Sequence, residues 1–196
     1  MRHNALRDTE ANLMKIVCKD VCIEPGLLPT NEEELNAQTN GTAGARLDIS
    51  ARGVWSAAER TFFDVRVTHA NSNSNRGKTL EQVYKQNENE KKNLYNERIL
   101  NVEKCSFTPL VFTTSGGMGP ECQKLNKRLG EKIAMKTKEQ YSIVMKHIRT
   151  KLCFALLKSI LVGIRGYRGK RVCEDTSQIT DVSLELIPYA SAYETN

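Results

Sequence analysis

The spacing of apolar positions changes several times along the chain, and each change marks an element. Leu6, Leu13, Ile16 and Val17 recur at helical spacing over residues 4–19, and Glu10 falls in the middle of that face. DVCIEP (20–25) suits a short strand, whereas LLPTNEEELNAQTNGTAG (27–44) has the composition of an exposed loop. ARLDIS (45–50) and RTFFDVRVTH (60–69) are β-branched and aromatic and are joined by a short link, which predicts a hairpin. After the polar loop HANSNSNRGK (69–78), Leu80, Val83, Tyr84, Leu94 and Tyr95 lie along one helical face to about residue 100. TPLVFTT (108–114) is a continuous apolar run of strand length closed by SGGMGP, and past Pro120 the pattern predicts two helices, 121–147 and 150–165. The order helix, strand, hairpin, helix, strand, helix, helix predicts an α/β (α+β) fold: a central mixed sheet of about four strands flanked by helices. Residues 1–171 are expected to form one domain, and 172–196, which lack periodicity, an acidic flexible tail.

Composition excludes some classes. With 39% hydrophobic and 27% charged residues the balance is that of a globular chain with one core. The longest apolar stretch, FALLKSILVGI (154–164), is about half the ~20 residues a membrane span needs, so no membrane association is expected. MRHNALRDTE lacks the apolar segment of a secretory signal, which points to the nucleus or cytoplasm rather than secretion. The six cysteines (18, 22, 105, 122, 153 and 173) contain no CxxC pair, so they read as small buried residues rather than zinc ligands. All 29 Lys and Arg, and all but five of the 23 Asp and Glu, precede residue 172, leaving that body at +11. Such a charge favours a polyanion partner, nucleic acid first.

The hairpin carries the candidate chemistry. Alternation sets Leu47 and Ile49 against Asp48 on one strand, and Phe63, Val65 and Val67 against Asp64 and Arg66 on the other. If residues 52–59 are the turn, paired positions sum to 111 or 112, so Asp48 can face Asp64. Two carboxylates held there repel unless a proton or cation intervenes, and magnesium or manganese suits the gap. Arg66 lies on the same face, either as part of the site or simply paired with the two acids. Asn87 and Lys91 fall inside the apolar stripe of the next helix. Lys91, with Tyr95 one turn on, can reach over the carboxylates to a phosphate, or its ammonium can snorkel to water. Glu10 is a third acidic ligand or a salt-bridged edge carboxylate. RGKT (76–79) is no P-loop, because Ser72 stands where a glycine is required. SGGMGP (115–120) is a phosphate-holding loop or a plain strand-to-helix turn. GIRGYRGKR (163–171) places Arg165, Arg168, Lys170 and Arg171 around Tyr167, as a clamp for a nucleic-acid backbone or as a solvated helix end.

An Asp on one strand and Asp-Val-Arg on its hairpin partner, with a helix before and a helix and strand after, resemble the PD-(D/E)xK restriction-endonuclease-like nucleases. The chain is also similar to a nuclease-like segment found beside reverse transcriptases in animal mobile elements. That resemblance runs through RHNALRD (2–8), GARLDI (44–49), RTFFDVRVTH (60–69), ENEKKNLY (88–95), FTPLVFTTSGGMG (107–119) and FALLKS (154–159). It implies a restriction-endonuclease-like core with two extra C-terminal helices, and a DNA endonuclease in which Asp48 and Asp64 hold magnesium. The third position, usually Lys, supports the attacking water and falls on Arg66. Two departures stand out: no Pro precedes the first acid, and Arg replaces Lys. Arg stays protonated and cannot act as a base, so it can only stabilise phosphate charge, with Lys91 as the movable ammonium. The alternative expectation is a catalytically degraded nucleic-acid-binding domain of the same origin.

Overall fold

Alternation along one strand organises both cores. In the computed structural model, which describes residues 2–28 and 45–165, β3 (Arg60–Thr68) sends Phe63 and Val65 into one apolar cluster and Phe62 into another. Its neighbours are β2 (Ile49–Arg52), antiparallel, and β4 (Ser106–Thr113), parallel; β1 (Lys19–Ile23) pairs antiparallel with β2, so the sheet order is β1-β2-β3-β4. A parallel pair needs a long crossover, here made by α2 (Leu80–Arg98) and a single π turn over Ile99–Glu103. α1 (Arg2–Val17) precedes the sheet, and α3 (Pro120–Thr137) and α4 (Tyr141–Arg165) follow it. The result is the expected α/β arrangement, a mixed four-strand sheet packed with four helices, two of them C-terminal to it.

The larger cluster joins Leu6, Leu13 and Met14 of α1, Ile49, Phe63 and Val65, and Leu125 and Leu129 of α3 with the inner side of α4. The smaller joins Leu27, Leu47, Phe62, Ile99 and Phe107, with Tyr95 of α2 packed against it. Apolar side chains therefore cover the sheet on both faces, which is why β4 reads as an unbroken apolar run. Pro109 sits in β4, an edge strand, where a missing N–H is tolerated.

Several boundaries differ from expectation. β2 starts at Ile49 rather than at residue 45, because Asp48 lies at a bend. That bend also puts Leu47 in the smaller cluster, opposite Ile49 and not beside it. On α2 the inward face is Val83, Tyr84, Asn87 and Glu88, whereas Leu80 and Leu94 are 48% and 64% exposed. The last two helices part at residues 138–140 and not near 148, because Lys138 adopts a left-handed conformation (φ 59°) that ends α3. Met1–Ile164 form one compact unit. The expected tail, with Arg168, Lys170 and Arg171 of the basic tract, lies outside the described residues, and Arg165 only closes α4. Among the described residues no helix is long and apolar enough to cross a membrane.

Candidate active site at the open end of the hairpin

β2 pairs with β3 only from Ile49↔Phe63 to Arg52↔Arg60, a register in which partners sum to 112. One step beyond Ile49↔Phe63, Asp48 and Asp64 flank the notch where β3 continues without β2. The N–H of Val65, left without a strand partner there, donates to Asp48 Oδ2 at 2.6 Å. His3, in the first turn of α1, places Nε2 2.8 Å from the same oxygen. The Asp48 backbone is fixed too, its carbonyl accepting from the Glu24 N–H at 2.9 Å.

Asp64 is 6% exposed. Burial pushes its carboxyl above the usual carboxylate range; Lys91 opposes this, Asp48 adds to it, and His3 works with Lys91. The bond to Asp48 raises the His3 imidazole above its ordinary value, against the effect of its partial burial. Lys91 Nζ lies 2.7 Å from Asp64 Oδ2 and 5.5 Å from the centroid of the Tyr95 ring. The ammonium thus turns inward to a carboxylate rather than out to water. α2 is set for this by a capping box at Thr79 and Gln82, and Asn87, one turn before Lys91, donates to the Val83 carbonyl. Tyr95 stacks at a tilt on Phe107, with centroids 5.7 Å apart, and forms the floor under the ammonium.

Two expected members stand elsewhere. Arg66 donates through Nη1 to Glu90 Oε2 at 2.7 Å on the exposed side of α2, and meets neither acid. Glu10 is fully buried and accepts from Asn126 Nδ2 of α3 at 2.9 Å, while its Oε2 has no hydrogen-bond partner. Burial pushes its carboxyl up to about 7, and neither Asp48 nor Asp64 is among the groups acting on it. The reason is spacing: Glu10 follows His3 by seven residues, about 10 Å along a helix. His3, not Glu10, is therefore the α1 residue at the carboxylates. The same face arithmetic that singled out Glu10 points two turns back to His3, and it was the one available signal.

The N-terminus of α3 is already occupied by an anion of this chain. Glu88 Oε1 accepts from the Glu121 N–H at 3.0 Å, and a Cβ on Gly119 would stand 2.6 Å from that oxygen. The SGGMGP segment accordingly serves as a strand-to-helix turn closed by Glu88.

No protein-family model matches the chain, and no curated protein matches it in sequence. The two carboxylates are oxygen donors of the kind a small hard cation takes. Asp48 meets His3 and the Val65 N–H through Oδ2, and Asp64 Oδ2 lies 2.7 Å from Lys91 Nζ. Oxygen donors of this kind suit magnesium or manganese. The set is a pair: among the described residues no three His, Cys, Asp or Glu side chains converge as a metal-holding group. An ion there would take its remaining ligands from water and phosphate oxygens, as magnesium commonly does.

Proposed function

We propose that this chain is a magnesium-dependent DNA endonuclease module of mobile-element origin that hydrolyses phosphodiester bonds. The observation that carries the reading is the meeting of Asp48, Asp64 and Lys91 at one notch, with the Lys91 ammonium 2.7 Å from a carboxylate that is nearly buried. Asp48 and Asp64 would hold the ion. The ion, when bound, supplies a nucleophilic water near neutral pH and charge stabilisation for the phosphate. His3 and the Val65 N–H keep Asp48 from turning. Lys91 offsets the negative charge while no phosphate is bound, and a phosphate entering the notch competes with Asp64 for its ammonium. The +11 body supplies the sequence-independent attraction for DNA, with Arg165, Arg168, Lys170 and Arg171 as further backbone contacts.

The deciding experiment is cleavage of labelled duplex DNA by the full chain with magnesium and with EDTA, beside Asp64→Asn. Magnesium-dependent cleavage absent from the variant is expected. A second reading, a degraded nucleic-acid-binding domain of the same origin, draws on Arg66, which stands at the usual lysine position and is engaged by Glu90. It predicts no cleavage under any condition, together with DNA binding that weakens at least about tenfold between 50 and 200 mM salt.

A further inference from the structure

α4 is apolar on two opposite sides. Val144, Ile148, Leu152 and Leu156 are buried in the core, whereas Phe154, Leu157 and Leu161 stand 65%, 54% and 53% exposed. A second apolar strip on the side opposite the core marks a contact surface. Between α3 and α4 lie two adjoining cavities of about 370 and 610 Å3, which share Lys127, Met145, Arg149 and Cys153 as walls. The larger opens onto Phe154 and Leu157.

The charged residues that line this cleft are all cations: Lys127, Lys146 and Arg149. No carboxylate lines either cavity. α4 itself contains no Asp or Glu. An apolar trough edged by cations is complementary to a helix with leucine-like side chains on one face and carboxylates along its flanks.

We propose that the α3–α4 cleft is a docking groove for an acidic amphipathic helix of a partner protein. Its apolar side chains enter the cleft beside Met145 and Leu157, and its carboxylates meet Lys127, Lys146 and Arg149. A second copy of this chain suits the groove less well, since a two-fold contact through α4 would set two wholly basic helices against each other. A lipid surface would cover Phe154 and Leu161 but leave the concave cavities unfilled.

The test is fluorescence anisotropy of the full chain with a fluorescein-labelled amphipathic helix made of leucine and glutamate, beside a matched helix of leucine and lysine. Saturable binding of the first at least about tenfold tighter than the second is expected. Lys146→Glu with Arg149→Glu, and separately Phe154→Ser with Leu157→Ser, should each weaken it about tenfold or more. Both pairs alter exposed or rim positions, and unchanged thermal melting would show that the fold persists. Equal affinity for the two helices, no binding, or binding unmoved by either pair would overturn the proposal. So would concentration-dependent dimerisation, or flotation with phosphatidylserine vesicles, that the Phe154 and Leu157 changes abolish while the acidic helix goes unbound.

Discussion

Lys91 Nζ reaches from α2 to within 2.7 Å of Asp64 Oδ2 on β3, and both side chains are largely withdrawn from water. Removing the ammonium leaves a carboxylate that burial already pushes up with Asp48 still beside it. Lys91→Met is therefore expected to cost about 2 kcal/mol of stability at neutral pH, the scale of a hydrogen bond to a charged group. Adding Asp64→Asn should return part of that loss, because the buried charge is then gone. Urea unfolding of the two single variants and the double variant measures this, and strictly additive effects would separate the residues. On the proposed reading Lys91→Met also abolishes cleavage while leaving metal binding nearly intact.

Calorimetric titration with magnesium or manganese should show binding by the wild type that is lost in Asp48→Asn and in Asp64→Asn. Glu10→Gln should bind as the wild type does, since Glu10 sits with Asn126 and not with the pair. Loss of binding in Glu10→Gln would return that residue to the site.

Arg66 is paired to Glu90 on an exposed surface. Exchange to Lys or Ala is accordingly expected to change stability by less than about 1 kcal/mol and to leave cleavage in place. A cleavage rate that collapses in Arg66→Ala would instead give Arg66 the role the family pattern assigns to its third position.

Glu10 supplies a pH signature. Its carboxyl is pushed from an ordinary value of 4.5 up to about 7, so between those values the folded chain keeps a proton that the unfolded chain releases. Stability from this group is whole below about pH 4.5 and falls as pH rises through 7, by a total on the order of 3 kcal/mol. Glu10→Gln retains the neutral form at every pH and should flatten that part of the profile. Unfolding free energies near pH 5 and pH 8 decide the matter, and parallel profiles for the two proteins would sink it.

Gly119→Ala places a Cβ 2.6 Å from Glu88 Oε1 and 3.4 Å from Val111 Cβ. A destabilisation of about 1–3 kcal/mol is expected, the usual cost of overpacking, and Glu88→Ala in the same chain should relieve much of it. Thermal melting of the single and double variants checks this.

Much of the site was legible in the sequence because strands have period two and a short link fixes register. A pair sum of 111 or 112 follows from the position of the turn alone, and 112 is the register observed from Ile49↔Phe63 to Arg52↔Arg60. Lys91 was legible for a related reason, as a cation inside an apolar helical stripe. What was hidden depended on contacts between distant segments. Nothing near His3 announces Asp48, nothing near Glu10 announces Asn126, and Arg66 could not be assigned to Glu90 without knowing how α2 lies on the sheet. The break between α3 and α4 was hidden because Lys138 takes a left-handed turn that usually calls for glycine, with no Gly or Pro to mark it.

The two attachments of α2 have a mechanical consequence. On one side Glu90 holds Arg66 of the sheet, and on the other Glu88 and Lys92 grip the first turn of α3 through the Glu121 N–H and carboxylate. Advancing the helix by one residue would swing every side chain by about 100° and break the grip on both sides together. The rotational freedom of α2 is thus lost during folding. Lys91 meets Asp64 at a position already set, so a ligand coming to the notch would find little further ordering to oppose it.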